Sequence, residues 1–334
     1  MRFFAILAAL AVGPASAGTE IGVCSHLTRT GFRDREALCA KMASAGFSSV
    51  RTDFDWHRVE PRPGEWDFTR FDAVVDTAEK HGLTVLPILT GVPAGLKPWE
   101  EAARWSNFVA RTVSRYRGRI PAYEVWNEQN TERFWHAPPN ATNYLTVLRT
   151  AFAAAKAADP KCRVVIGGFS KVPLDFIGEI YRLGGRDAFD VMAVHPYDVF
   201  HAPEHSLEDN LRALRELMAR HGDGDKPIWI TELGWPTGVG KDAHPPFDRL
   251  KWTEAEQADF ATRALEIARR CGIAAFYWYE FRAHDFDRGE TSWGLVHSDL
   301  SEKPAYQAFR KEIASRWDGF IDSLNVCLPV RFGL

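Results

Sequence analysis

The chain repeats one pattern eight times: a short run of strand-forming residues, a loop, and a longer amphipathic segment with helical spacing. The strand-like runs lie near residues 20–27, 48–54, 83–90, 122–128, 162–169, 190–197, 227–233 and 273–281. The helical segments follow near residues 34–46, 69–82, 99–118, 141–158, 174–185, 205–221, 253–271 and 303–315. Because each crossover contains a helix, the strands must be parallel. We therefore predict an α/β fold, a single (β/α)₈ TIM barrel.

A doubly wound open sheet is the alternative fold. That fold usually carries a Gly-rich phosphate-binding loop after its first strand, and none follows residues 20–27. Local signals support the helical segments themselves. Gly82 ends one of them, Asp159-Pro160 stops another, and Thr253 with Glu256 forms a capping box at the start of the seventh.

Composition limits the partners that this protein can have. Hydrophobic residues make up 46% of the 334 residues, enough for one large core, and the formal net charge is only −3. This near-balanced charge gives no indication of a nucleic-acid partner or an anionic membrane surface. We expect a monomer.

The first 17 residues resemble a secretory signal peptide. Arg2 precedes an apolar run over residues 3–12, and Ala15-Ser-Ala17 is a small-residue cleavage site. The apolar run is too short to span a membrane, and no later stretch is long enough. We expect an exported protein, periplasmic or extracellular, with a catalytic domain over residues 18–317 and an extension over 318–334. A buried N-terminal helix is the alternative interpretation of the first segment.

Five cysteines leave two interpretations open. They are Cys24, Cys39, Cys162, Cys271 and Cys327. The odd number leaves at least one thiol unpaired. Either they are buried thiols, or one or two bridges form, with Cys24 and Cys39 as a candidate pair. Their spacing does not match a zinc site, so we predict no metal.

Two glutamates stand at the ends of predicted strands. Glu128 ends the fourth strand and Glu232 ends the seventh. In a parallel barrel both lie on the same rim, at the carboxyl ends of the strands, where barrel enzymes build their active sites. Two carboxylates flanking one bond are what glycoside hydrolysis requires, one protonated and the other ionised.

Several motifs place this pair in a known context. They are Val50-Arg-Thr-Asp-Phe-Asp-Trp56, Trp126-Asn-Glu128, His195-Pro-Tyr197, Ile230-Thr-Glu232 and Tyr277-Trp-Tyr279. In this order they resemble the clan A glycoside hydrolases, and most of all glycoside hydrolase family 39 and its bacterial polysaccharide-degrading relatives. The resemblance covers the chain from the first strand to the Lys303-Pro-Ala-Tyr306 stretch.

The resemblance implies an O-glycosyl hydrolase that retains configuration. Glu128 is then the acid/base and Glu232 the nucleophile of a covalent glycosyl-enzyme intermediate. The implied partner is a poly- or oligosaccharide, and no cofactor is needed. The same pair of residues would also serve a transglycosylase, and a non-catalytic glycan-binding barrel is the alternative from another class.

The resemblance also assigns substrate-binding residues around the pair. Asn127 would bind the sugar 2-hydroxyl, which needs a distortion of the strand because strict alternation turns Asn127 away from Glu128. Arg51 would bind the nucleophile; its alternative is an ion pair with Asp53 or Asp55. His195 and Tyr197 would hydrogen-bond the nucleophile or line the sugar site; His195 is alternatively a core histidine.

Three more side chains complete the predicted site. Trp278 resembles the clan's sugar platform, with core packing as its alternative, and Trp235 is a further groove candidate. Glu280 is assigned to substrate binding or to an arginine pair. Glu124 shares the parity of Trp126 and Glu128 but lies deeper, and we expect a buried, hydrogen-bonded carboxylate. Two long loops, 234–252 and 282–304, are expected to shape the groove.

Overall fold

Eight parallel strands close into a barrel in the computed structural model, which describes residues 18–238, 250, 252–283 and 293–326. Neighbours in the chain pair along the whole series, and β8 pairs with β1. The strands are β1 Glu20–Cys24, β2 Ser49–Asp55, β3 Thr84–Thr90, β4 Ala122–Asn127, β5 Arg163–Ser170, β6 Met192–His195, β7 Ile228–Leu233 and β8 Ala275–Trp278. The predicted single barrel is confirmed, and closure between Ile21 and Phe276 rules out the open sheet.

Helices surround this barrel. They are α1 Phe32–Ser44, α2 Trp56–Val59, α3 Thr69–Lys80, α4 Ala102–Arg115, α5 Glu132–Trp135, α6 Ala141–Ala158, α7 Leu174–Arg182, α8 Leu207–Arg220, α9 Glu254–Arg270 and α10 Pro304–Val326. The one-turn helices α2 and α5 were not predicted. Each is shorter than a helical hydrophobic repeat, and each is held in place by one buried tryptophan, Trp56 or Trp135.

The local end signals act as expected. Gly82 follows α3 with a left-handed φ of 74°, and α6 ends where Asp159 takes extended backbone before Pro160. Thr253 accepts a hydrogen bond from the Glu256 backbone while the Glu256 side chain accepts one from the Thr253 backbone, so the predicted capping box is present.

Several sequence predictions concern residues that the structure does not describe. The signal peptide, Cys327 and most of the two long loops lie outside the described residues. The predicted boundary at residue 317 falls within α10, and the domain division stays a prediction. Cys24, Cys39, Cys162 and Cys271 are free thiols, so the Cys24–Cys39 bridge is not formed. Among the described residues, every helix is too short or too polar to cross a bilayer.

The capping box gives a direct test of local stability. Thr253→Ala removes the side-chain acceptor at the start of α9 and should lower the free energy of unfolding by about 1 kcal/mol. Urea denaturation followed by circular dichroism measures the change. Thr262→Ala, the same substitution inside α9, is the matched control and should cost nothing because Ala favours a helix interior. Equal losses in the two variants would contradict a capping role.

Candidate active site

Glu128 and Glu232 meet at the carboxyl end of the barrel. Glu128 directly follows β4, and Glu232 is the next-to-last residue of β7. One carboxylate oxygen from each and one ring nitrogen of His195 lie within 4.8 Å of one another. Both side chains are nearly buried, with side-chain exposures of 11% and 12%. The two glutamates are therefore close enough to act on one bond.

The backbone of β4 is irregular just before Glu128. Trp126 has a left-handed φ of 79° and Glu128 one of 47°. This conformation turns the Trp126 ring out of the barrel, where it packs against Trp105 and Trp135. The expectation that Trp126 faces the same side as Glu124 and Glu128 is therefore wrong. The same twist brings Asn127 and Glu128 together on the site side, which is the distortion that the role of Asn127 required.

A second irregularity lies in β7. Trp229 and Thr231 face the barrel interior, where Trp229 lies beside Tyr277 and Thr231 contacts Glu124. Strict alternation would then turn Glu232 outward. One extra residue between Ile230 and Leu233 shifts the pairing of β7 with β8 and keeps Glu232 on the inner side. Each glutamate thus depends on a break in the regular strand.

Arg51 on β2 joins the site together. Its Nε donates to Glu124 Oε2 at 2.5 Å, its Nη1 to Glu232 Oε1 at 2.6 Å, and its Nη2 to Asn127 Oδ1 at 2.8 Å. Burial alone would lower the pKa of Arg51, but the carboxylates of Glu124 and Glu232 raise it well above its usual value. Arg51 is therefore a permanent cation at the site.

The alternative partners of Arg51 are engaged elsewhere. Asp53 contacts His26 and Arg29, and Asp55 contacts Arg58. Burial alone would raise the pKa of Asp53, but the hydrogen bond and charge of His26 lower it to about 2. The structure thus places Arg51 on the nucleophile candidate, as the family resemblance implied.

Glu232 receives a hydrogen bond at each of its carboxylate oxygens. Arg51 occupies Oε1, and the Tyr197 hydroxyl donates to Oε2 at 3.0 Å. Burial and the nearby Glu232 carboxylate raise the pKa of Tyr197 well above its usual value, so Tyr197 stays a donor. A carboxylate held by a cation and a neutral donor is oriented for attack as a nucleophile.

The hydrogen-bond donors around His195 fix its tautomer. Thr231 has one hydroxyl hydrogen, which it donates to Glu124 Oε1 at 2.9 Å. Arg51 Nη2 lies 3.5 Å from His195 Nε2, but its two hydrogens are directed at Glu124 and Asn127. The contact of 3.1 Å between His195 Nε2 and Thr231 Oγ1 therefore needs its hydrogen on Nε2.

This tautomer has a consequence for Glu128. His195 Nδ1 lies 3.1 Å from Glu128 Oε1. With its hydrogen on Nε2, a neutral His195 can only accept at Nδ1, so this contact is a hydrogen bond when Glu128 carries a proton. A protonated carboxyl group held in this way is what a general acid requires.

Gly168 on β5 makes room for this arrangement. A Cβ atom at Gly168 would lie 2.0 Å from His195 Nε2 and 2.6 Å from Thr231 Oγ1, so any larger residue would displace them. The Gly168 backbone N–H also donates to Glu124 at 2.8 Å. Sequence reasoning missed both Gly168 and Thr231; Thr231 stands within the quoted Ile230-Thr-Glu232 motif, but alternation pairs it with the wrong face.

Two predicted sugar-contacting tryptophans lie in the core. Trp278 is fully buried, with its ring beside Trp235 and Phe309 of α10. Trp235 is 1% exposed and donates its indole N–H to the His201 carbonyl. A ring enclosed on both faces cannot stack on a sugar, so the platform role of Trp278 and the groove role of Trp235 are corrected to core packing.

Tyr279 takes the exposed aromatic position instead. Its ring is partly exposed and lies edge-on to Trp293 at 5.7 Å and to His26 at 6.3 Å. Glu280, which follows a cis peptide bond, is 2% exposed and influences the pKa of both His26 and Tyr279. Glu280 therefore lies toward β1, and its substrate-binding role stays a prediction. The sequence could not show which of the three adjacent aromatic residues, Tyr277, Trp278 or Tyr279, is partly exposed at the rim.

Within the part of the chain that the structure describes, two groups of side chains offer donors to a metal ion. One is Glu128, His195 and Glu232; the other is Asp198, His201 and His205. In the first group Arg51 already neutralises Glu232, and a buried guanidinium beside a divalent cation would be repelled.

Known glycoside hydrolases are similar to this chain in sequence. A family model described as beta-galactosidase, glycoside hydrolase family 42, matches residues 32–99, which include Arg51 but neither glutamate. The chain is 31% identical to endo-1,4-beta-xylanase 2 of Claviceps purpurea over 127 residues, which are 34% of this chain and 38% of that protein. It is 25% identical to a beta-1,4-xylanase of Dictyoglomus thermophilum over 239 residues, 64% of each. The chain thus spans less than two thirds of these curated relatives.

A solved structure extends the similarity to the whole barrel. A family 39 glycoside hydrolase from Bacteroides cellulosilyticus WH2 superposes with a TM-score of 0.73 at 25% identity, covering 89% of this chain and 63% of that one. The fold is that of the (β/α)₈ barrel glycoside hydrolases, with two glutamates facing each other at one rim. The predicted resemblance of this chain to the clan A glycoside hydrolases is confirmed.

The buried charges can be tested without substrate. Glu124→Gln leaves the amide Nε2 or Oε1 facing Arg51 Nε without a negative charge, and it should lower the free energy of unfolding by about 3–5 kcal/mol, the cost of breaking a buried ion pair. Urea denaturation measures this loss. Glu79→Gln, which breaks the exposed pair with Arg119, is the control and should change stability little. Similar small losses in both variants would contradict a structural role for Glu124.

Proposed function

We propose that the protein is a retaining O-glycoside hydrolase that cleaves poly- or oligosaccharides. The close approach of Glu128 and Glu232, with oxygens within 4.8 Å, carries this proposal. Retaining enzymes place their carboxyl groups about 5–5.5 Å apart, whereas inverting enzymes need about 6.5–9.5 Å to fit a water molecule between carboxylate and sugar. The spacing favours direct attack by a carboxylate.

In the first step Glu232 attacks the anomeric carbon. A bond forms between a Glu232 carboxylate oxygen and that carbon, while the glycosidic bond breaks and Glu128 donates its proton to the leaving oxygen. The contact with His195 Nδ1 orients the Glu128 carboxyl group for this transfer. As the charge of Glu232 is lost to the ester bond, Arg51 remains balanced by Glu124.

In the second step the roles of Glu128 reverse. Glu128, now a carboxylate, takes a proton from a water molecule whose oxygen attacks the anomeric carbon and releases Glu232. Asn127 accepts from Arg51 through Oδ1, which directs its Nδ2 hydrogens to a sugar hydroxyl. No step in this sequence uses a metal or an organic cofactor.

The relatives suggest where to look for the substrate. Two curated relatives are xylanases, so β-1,4-linked xylan and aryl xylosides should stand first in a substrate panel. The beta-galactosidase family model adds aryl galactosides to that panel. Proton NMR of the first product anomer then tests retention directly, and a glycan-linked product in place of the free sugar identifies transglycosylation.

Variants of the two glutamates separate their roles. Glu232→Ala should abolish turnover because no covalent intermediate can form. Added azide should restore turnover and give a glycosyl azide of inverted configuration. Glu128→Ala should lose about 10²–10⁴-fold on natural glycans but still react with a dinitrophenyl glycoside, whose leaving group needs no proton. Azide should then give a product of retained configuration.

Glu280→Ala is the matched control for this experiment. It removes a third carboxylate at the same rim, and azide should yield no glycosyl azide with it. If Glu280→Ala shows the inverted azide product, or if Glu128→Ala turns over natural glycans at the wild-type rate, the assignment of the pair is wrong. An inactive wild-type protein on the whole panel that still binds a glycan would support a binding barrel.

We also propose that the protein is exported and monomeric. The proposal of export rests on Arg2, the apolar run over residues 3–12 and the Ala15-Ser-Ala17 site. Intact mass of protein recovered from the periplasm or medium should correspond to a chain starting near Gly18, and light scattering should give the mass of one chain. Recovered protein that keeps Met1 would contradict cleavage, and replacement of Ala15 and Ala17 by bulky residues should prevent it.

A further inference from the structure

A second cluster of charged and imidazole side chains lies in the loop between β6 and α8. His201 Nδ1 and His205 Nδ1 each lie 2.8 Å from a different oxygen of Asp198. The two imidazole rings stack at 3.8 Å with an interplanar angle of 11°. The proposed hydrolysis uses none of these three side chains.

The donor atoms of this cluster converge. One atom each from Asp198, His201 and His205 lies within 4.8 Å of the other two. The histidine side chains are 50% and 56% exposed, so an ion could enter from solvent and keep water on its open positions.

The loop that carries these donors is fixed at two points. Trp235 donates its indole N–H to the His201 carbonyl at 2.9 Å, and Trp252 donates to the Val199 carbonyl at 2.7 Å. Ser206 Oγ donates to Asp198 Oδ2 at 3.0 Å. Because the backbone that carries the donors is held in place, it loses little conformational freedom when an ion binds, which favours affinity.

We propose that Asp198, His201 and His205 form a binding site for a late first-row divalent metal ion, such as Zn²⁺. Two imidazoles and one carboxylate are the donor types that Zn²⁺, Ni²⁺ and Cu²⁺ prefer, whereas Mg²⁺ and Ca²⁺ require oxygen donors. Each histidine would ligate through Nδ1 and would move to Nε2 the hydrogen that now links it to Asp198. The half-exposed rings would rotate out of their stack, because a metal ion lies in the plane of each imidazole that binds it.

The site would connect to the active site through one residue. Asp198 directly follows Tyr197, whose hydroxyl donates to Glu232. A bound ion would therefore hold Asp198 in place, directly beside the residue whose hydroxyl donates to Glu232. The two groups share no side chain, so the proposed hydrolysis does not require the ion.

Isothermal titration calorimetry with ZnCl₂ tests the proposal on protein stripped with a chelator. The wild-type protein should bind one Zn²⁺ at this site, and MgCl₂ or CaCl₂ should give no heat at the same concentrations. His201→Asn and His205→Asn should each weaken Zn²⁺ binding by more than about 100-fold, beyond the loss typical of an outer-shell partner. His57→Asn removes another exposed histidine and should bind Zn²⁺ like the wild type.

Two further variants make the outcome decisive. Asp198→Asn keeps the shape of the side chain and should also weaken binding, which covers the case of a histidine variant that does not fold by circular dichroism. Glu128→Gln should leave this Zn²⁺ equivalent in place. Zn²⁺ binding that survives in the His201, His205 and Asp198 variants, or that disappears only in Glu128→Gln, would overturn the proposal, as would the absence of Zn²⁺ binding to the wild type.

Discussion

The ion-pair network of Arg51 is the interaction on which the site depends. One guanidinium, 2% exposed, contacts the carboxylates of Glu124 and Glu232 and the amide of Asn127. Burying a lone charge in a barrel is prohibitive, and the mutual hydrogen bonds offset that cost. Glu124 is the essential counter-charge, because it binds Arg51 from below and leaves Glu232 available to react. The Glu232 carboxylate thus contacts an arginine whose charge is already balanced by Glu124, another residue of the barrel.

The same network gives the two glutamates different partners. Arg51 and Tyr197 both donate to Glu232, whereas Glu128 faces His195. Because Thr231 donates its one hydroxyl hydrogen to Glu124, the His195 ring donates from Nε2 and turns Nδ1 toward Glu128. Different neighbours are what the proposed division into nucleophile and acid requires of two identical side chains.

The rim of the barrel also carries aromatic and charged groups that the reaction does not require. Tyr279, Trp293 and His26 form a partly exposed edge beside Glu280. The loop that follows Tyr197 in the chain carries Asp198, His201 and His205. It is anchored by indole hydrogen bonds from Trp235 and Trp252. Tryptophans that a sequence would assign to sugar binding are used here to hold loops and fill the core.

The sequence by itself determined the barrel and the placement of Glu128 and Glu232 on one rim. Eight alternating segments need parallel strands, and parallel strands bring Glu128 and Glu232 to one rim whatever the details of packing. The sequence did not determine which way the residues beside them point. Left-handed backbone at Trp126 and an extra residue in β7 reverse the alternation at both glutamates, and Trp278 turns into the core while Tyr279 faces outward. Period-two patterning holds only while a strand stays regular, and strand ends at an active site depart from it because contacts from distant strands, such as those of Arg51, decide their conformation.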